Sequence, residues 1–215
     1  MKTIYVMLLS LVCLTACSAP SAQSIEGKYV TLNPPLATHT GKKIEVLEIF
    51  WYGCPHCYEY EPHLLKWLSA KPKNVEFRLM PGILNPAWVP HARAYYTAVQ
   101  LGVLDKIHEQ LFDAIHKYRR NIFDEDSLKA FFVQQGVNGD EFSKVFDSRA
   151  IDEKMRQAYE EEVKAKITGV PSIIINGKYV TSPAMNTTNN GRTVDYDSLA
   201  HVMNTLIARE SKTGS

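Results

Sequence analysis

Val46-Leu47-Glu48-Ile49-Phe50-Trp51-Tyr52-Gly53-Cys54-Pro55-His56-Cys57-Tyr58-Glu59-Tyr60-Glu61-Pro62 is the stretch from which the rest of the chain is read. Its first half is an apolar, β-rich run, the composition of a central strand covered on both faces. Gly53 ends the run. Two cysteines then bracket Pro55 and His56, and a helix-like segment follows in which Pro55 suits the first turn. A strand that delivers a Cys-x-x-Cys pair to a helix N-terminus suits a redox disulfide better than other chemistry of this residue set. A zinc site would need a second ligand pair with suitable spacing, and none is present.

Outward from this stretch the elements alternate. The strand is expected over residues 44–52. The helix should run from Cys54 or Pro55 to about Ala70, with Leu64, Leu65 and Leu68 inward and a kink at Pro62. Val75–Met80 reads as another strand, so the three form a βαβ unit with parallel strands. Upstream, Tyr29–Leu32 is a short strand ended by Asn33-Pro34-Pro35. From Pro81 to Lys166 the chain is helical and aromatic. Trp88, Ala92, Tyr95 and Val99 recur at helical spacing, as do Leu104, Ile107, Leu111 and Ile115. Further stripes are Leu128, Phe131 and Phe132, then Phe142, Val145 and Phe146, then Ile151, Met155 and Ala158. Strand signals return around Asn176-Gly177, a strong hairpin pair. Residues 182–193 read as a polar loop. A last helix follows Asp195, with Leu199, Val202, Met203 and Leu206 on one face and a fraying tail after Arg209.

The chain has 215 residues, enough for one well-cored domain with an insertion. Lys2 lies in an apolar leader, and without it one of the 24 basic residues is gone and the rest equal the 23 acidic ones in number. No basic stripe marks a nucleic-acid binder. Residues 1–17 read as a signal peptide, and Leu14-Thr15-Ala16-Cys17 resembles the lipobox of bacterial lipoproteins, in which the cysteine is acylated. Ordinary secretory cleavage near Ala19 or Ala22 is the alternative. Residues 18–26 are small and polar, a tether reaching about 17 Å as a flexible coil. Of the four cysteines, Cys13 leaves with the leader and Cys17 would carry lipid, so Cys54 and Cys57 alone remain in the folded body. Their loop is too small to add much as a structural staple, and an exported protein meets an oxidising compartment.

The order of elements beside the Cys-x-x-Cys resembles a thioredoxin fold with an inserted helical subdomain, an α/β class. The core would comprise residues 27–80 and 167–210, and the insert residues 81–166. Val46-Leu47-Glu48, Cys54-Pro55-His56-Cys57-Tyr58, Gly169-Val170-Pro171 and Asn176-Gly177-Lys178-Tyr179 together resemble the DsbA family of bacterial thiol–disulfide oxidases. The likeness covers about residues 27–207. It implies a redox-active disulfide with no other cofactor and no metal. The catalytic residues would be Cys54, Cys57, His56, Pro171 and Glu48. Pro171 would form a cis-proline facing the cysteines, and Val170, Pro171, Pro55 and His56 would touch substrate. Cys54 would be the exposed, attacked sulfur. The implied partners are unfolded exported polypeptides and a quinone-linked membrane oxidase resembling DsbB. The implied setting is a monomer in the periplasm, anchored through Cys17. The lipobox departs from the soluble members of the family.

Several readings stay open at this level. Glu48 amid apolar residues must be paired or protonated: it is either a proton relay beneath Cys57 or a carboxylate paired with a lysine. Glu59 and Glu61 suit a solvated face near the helix N-terminus. The six histidines other than His56 suit the surface or a satisfied core, and Trp51, Tyr52 and Trp88 suit either core or an apolar peptide groove. Redox direction depends on thiolate stabilisation, so a reductase or isomerase on the same fold, or a lipid-anchored binding or chaperone module, remains as a rival.

Overall fold

A computed structural model of the chain describes residues 24–213 apart from Asn189. The leader, its lipobox Cys17 and the first part of the tether lie outside the described residues. In chain order the elements are β1 (Val30–Thr31), β2 (Ile44–Phe50), α1 (Pro55–Ala70), β3 (Val75–Pro81), α2 (Val89–Gln100), α3 (Leu104–His116), α4 (Glu125–Gln134), α5 (Gly139–Phe146) and α6 (Arg149–Lys164). Then come β4 (Ser172–Ile175), β5 (Tyr179–Thr181), β6 (Thr187–Thr188), β7 (Thr193–Val194) and α7 (Tyr196–Thr213). Among the described residues, five strands form a sheet in the order β1-β5-β4-β2-β3. β2 pairs parallel with β3 and antiparallel with β4, placing Glu48 between Leu79 and Ile173.

β2 is buried along its whole length. Alternation sends its side chains to two cores. Ile44 and Val46 pack with Tyr60, Leu64 and Trp67 of α1 and Leu199 and Leu206 of α7. Leu47 and Ile49 pack with Met80, Ala158 and Ile174. Truncating a residue such as Ile49 to alanine costs about 2–5 kcal/mol in such a setting. The strand stops at Phe50, two residues earlier than its apolar run suggests. Cys54 N–H donates to Trp51 O at 2.9 Å, closing a turn. A Cβ on Gly53 would come within 2.3 Å of the Trp51 indole, so only glycine fits there.

The helices between β3 and β4 share most of their core with the sheet, and only a small cluster of Ala92, Ile151 and Met155 belongs to them alone. Phe112, Phe131, Phe132 and Phe142 belong to one cluster with Phe50, Tyr52, Cys54 and Cys57. The aromatic segment therefore extends the floor of the Cys-x-x-Cys.

Several expectations need correction. Leu65 is 56% exposed, because the buried stripe of α1 runs through Tyr60, Leu64 and Trp67 and turns Leu65 outward. Ile25, within the expected tether, is buried with Tyr60 and Trp67. The expected loop of residues 182–193 carries structure on either side of Asn189: β6 pairs with β7, and buried Asn186 bonds Thr181, Ser182 and Ser198. The C-terminal tail does not fray at Arg209. α7 continues because Glu210 accepts hydrogen bonds from Asn176 and Lys178, both at 2.6 Å. The Asn176-Gly177 hairpin is present, with both residues at positive φ, and a Cβ on Gly177 would clash with Leu36 O at 2.3 Å. Among the described residues no helix is long and apolar enough to cross a membrane.

Candidate active site

Cys54 is the N-cap of α1, in extended backbone conformation, with Pro55 opening the helix. A capping side chain meets backbone N–H groups that have no carbonyl partner within the helix. Here the cap is a sulfur: Cys57 N–H donates to Cys54 Sγ at 3.4 Å. On the other side Cys54 Sγ–H donates to Val170 O at 3.5 Å. Cys54 and Cys57 are both free thiols in this structure.

Their environments push them apart. The Cys57 thiol donates to Cys54 and holds its pKa down, to about 6, against the opposing effect of burial. Backbone N–H groups of Cys57 and His56 add to this, and the His56 charge adds least. Cys57 moves well up, first through burial, then through holding its proton toward Cys54, and further through the charge on Cys54. Above pH 6 the pair therefore carries its charge on Cys54. That asymmetry gives one good attacking and leaving sulfur and one proton-retaining sulfur.

Val170, whose carbonyl meets Cys54, precedes Pro171 in the loop before β4. Their peptide bond is cis, as is Asn33–Pro34, which the sequence did not flag. Ser172 Oγ–H donates to Gly169 O at 2.7 Å and tightens the loop. Trp51 stacks on Trp88 with ring centroids 4.7 Å apart and planes 11° apart. Gly82 lies between this stack and the loop: a Cβ there would meet Trp88 and Val170, each at 3.3 Å. Pro55 and His56 are exposed, so both are available to an incoming chain. Cys54 is less accessible than expected, only 6% exposed, with Val170 packed against its cluster, and Cys57 is fully buried.

Glu48 is fully buried, and neither carboxylate oxygen has a hydrogen-bond partner. The expected alternative, a lysine pair, is not what the strand supplies. Burial raises its pKa well above the ordinary range, with smaller pushes from the charges of Glu61 and Cys54. A neutral acid beneath Cys57 is able to give or take a proton.

Sequence reasoning missed the groups that surround Glu48 and Tyr52. Glu61 is not on a solvated face. It stands 3.4 Å from His108 Nε2, and both side chains are only 16% exposed. His108 Nδ1 shares a 2.9 Å hydrogen bond with Tyr52 OH. His116 Nε2–H donates to Tyr52 O at 2.7 Å and its ring stacks on Tyr58. The available signal was the spacing of His108, Phe112 and His116, a stripe beside the apolar one on α3. His91 is a core histidine whose Nε2–H donates to Ile122 O at 2.6 Å, and burial lowers its pKa to about 4. His39 faces Glu161 at 3.9 Å and His63 stacks on Tyr196. Among the described residues no group of three His, Cys, Asp or Glu is arranged to hold a metal.

Three comparisons bear on this arrangement. The family model described as a DSBA-like thioredoxin domain matches residues 75–190. The thiol:disulfide interchange protein DsbA of Pseudomonas syringae pv. tomato is 40% identical over 164 residues, covering 75% of this chain and 77% of its own. The protein of the same name from Bordetella parapertussis is 34% identical over 214 residues, covering 98% and 99%. Among solved structures, that of Pseudomonas aeruginosa DsbA superposes with a TM-score of 0.79 at 30% identity, covering 87% of this chain and 94% of that one.

Proposed function

The chain belongs to the DsbA family of thiol–disulfide oxidoreductases, and from that premise we propose that it donates a Cys54–Cys57 disulfide to newly exported polypeptides. In the oxidised protein a substrate thiolate attacks Cys54 Sγ. The Cys54–Cys57 bond breaks, a mixed disulfide forms, and Cys57 leaves with the electron pair. Its high proton affinity then draws a proton, for which neutral Glu48 is the nearby source. The second substrate thiolate attacks the substrate sulfur and expels Cys54 as a thiolate. The substrate's two protons are released to solvent, which re-protonates Glu48, and its two electrons stay on the protein. Re-oxidation returns them to a disulfide of a quinone-linked membrane oxidase resembling DsbB.

The observation that carries this direction is the capping of α1 by Cys54 itself. Whatever stabilises the thiolate stabilises the reduced protein and makes the disulfide the better oxidant. In this reading Val170 and Pro171 present backbone to an extended substrate, with His56 and Pro55 on the opposite lip. The protein acts as a monomer in the periplasm, tethered to a membrane by acylated Cys17. Residues 27–80 and 167–210 carry the chemistry, and residues 81–166 complete its floor.

Equilibration of the Cys54/Cys57 pair with glutathione tests the direction. An oxidising potential is expected, and a thioredoxin-like reducing one overturns the reading. Cys54→Ala should abolish turnover, whereas Cys57→Ala should accumulate mixed disulfides with exported proteins. Mass spectrometry of the mature N-terminus decides the anchor: acyl chains on Cys17 support it, and their absence removes it.

A further inference from the structure

Between α1 and α3 lies an open groove of about 590 Å³. Tyr58, Pro62 and Leu65 line it from α1 at i, i+4 and i+7, while Leu104, His108 and Phe112 line it from α3 at i, i+4 and i+8. Residues so spaced share a helix face. Two such faces meet here and leave an apolar floor open. Leu65, a large side chain turned away from the core at 56% exposure, belongs to it.

Charge along the groove has one sign. Asp105, Glu109 and Asp113 form a row on α3 at four-residue spacing, and Glu59 and Glu61 face it from α1. No lysine or arginine is among the lining residues. Asp113 accepts from Tyr58 OH and pairs with Lys117, but among the described residues Glu59, Asp105 and Glu109 form no ion pair. In a chain with 24 basic and 23 acidic residues this is a local excess of acid rather than composition. A helix rises 1.5 Å per residue, so the row of three carboxylates repeats at about 6 Å. Alternate side chains of an extended polypeptide recur at about 6.6 Å.

We propose that this groove binds an extended polypeptide segment with lysine or arginine at alternate positions along the acidic row and an aliphatic or aromatic side chain on the floor. That the segment belongs to the polypeptide being oxidised rests on the function proposed above. Tyr58 lies in the first turns of α1, so the groove runs along the helix that Cys54 caps. A basic, partly apolar stretch near a substrate cysteine would then be held while its thiol reacts at Cys54.

The test uses the full chain and three acetylated, amidated, cysteine-free pentapeptides: Lys-Leu-Lys-Leu-Lys, Ser-Leu-Ser-Leu-Ser and Glu-Leu-Glu-Leu-Glu. Titration calorimetry should detect the basic peptide alone. Its affinity should fall at least tenfold in an Asp105→Lys/Glu109→Lys variant and weaken as salt rises. Leu65→Ser, at an exposed position, should weaken it several-fold by removing part of the floor. Equal binding of the three peptides, or unchanged affinity in the charge-reversed variant, overturns the proposal. So does light scattering that shows a second copy occupying the groove. Disulfide exchange with a neutral dithiol peptide is measured separately on the unaltered protein. Its failure would sink the oxidase reading and leave the groove standing, whereas normal exchange without binding of the basic peptide sinks the groove alone.

Discussion

β2 carries two buried carboxylates three residues apart, and the fold treats them in opposite ways. Glu45, 2% exposed, accepts the His39 N–H at 2.8 Å and pairs with Arg78 at 3.4 Å. Glu48, at the end of the strand nearer the cysteines, has no hydrogen-bond partner on either oxygen. Other buried acids follow the first pattern. Glu162 accepts the Ile83 N–H on both oxygens, and Glu210 is held by Asn176, Lys178 and Tyr179. A carboxylate that serves the fold is given partners, because burying an uncompensated charge is expensive. Glu48 is denied them, and burial holds its pKa above the ordinary carboxylate range. The strand is structural at one end and, on the function proposed above, chemical at the other.

The largest expected effect breaks the structural end. Glu45→Ala strands the His39 N–H and leaves Arg78 with Glu161 alone, and should cost about 3 kcal/mol, the lower part of the range for breaking a buried pair. Denaturant unfolding measures it, and a neutral result would erase the contrast. At the chemical end the sign reverses. Glu48→Leu removes a buried group with no hydrogen bond and should stabilise the reduced protein at neutral pH by about 1–3 kcal/mol. Because the native Glu48 pKa is raised, the native state keeps a proton that the unfolded chain releases above about pH 4.5. Stability of the parent should thus decline as pH climbs from there toward the raised value, and the leucine variant should lose that slope. Unfolding at several pH values between 4 and 8 compares the two.

The smallest effect concerns Cys54. Thiolate absorbance near 240 nm should titrate with a midpoint of about 6. His56→Ala should move it only slightly upward, since the His56 charge is the weakest of the causes. The Cys54 contribution to stability of the reduced protein is fully present above its ordinary pKa of 9.0 and is lost as pH falls through about 6. A large shift in the histidine variant would mean that a side-chain charge, and not the Cys57 thiol and the helix N-terminus, governs the thiolate.

Much of this was legible in the order of residues. The apolar run into Cys-Pro-His-Cys, the helical stripes after Pro81 and the Asn176-Gly177 turn are local signals, and each maps onto an element of the fold. The alternation at Glu48 was visible too, as an acid where an apolar residue belongs. What could not be read was any property requiring two distant segments. Glu61 looked solvated because α3, which brings His108 against it, lies far along the chain. Leu65 looked buried because helical periodicity gives a stripe but not its edges. The tail looked frayed because the partners of Glu210 sit in a hairpin more than thirty residues earlier.

The cover of Cys54 has a temporal side. Val170, whose carbonyl meets Cys54, comes 116 residues after it, and β4, the antiparallel neighbour of β2, follows immediately. Of the strands flanking β2, only β3 is made soon after it. A growing chain therefore presents both thiols well before their lid and second strand partner exist. During synthesis this protein passes through a stage in which it has the exposed cysteines of a client, before it acquires the geometry of an enzyme.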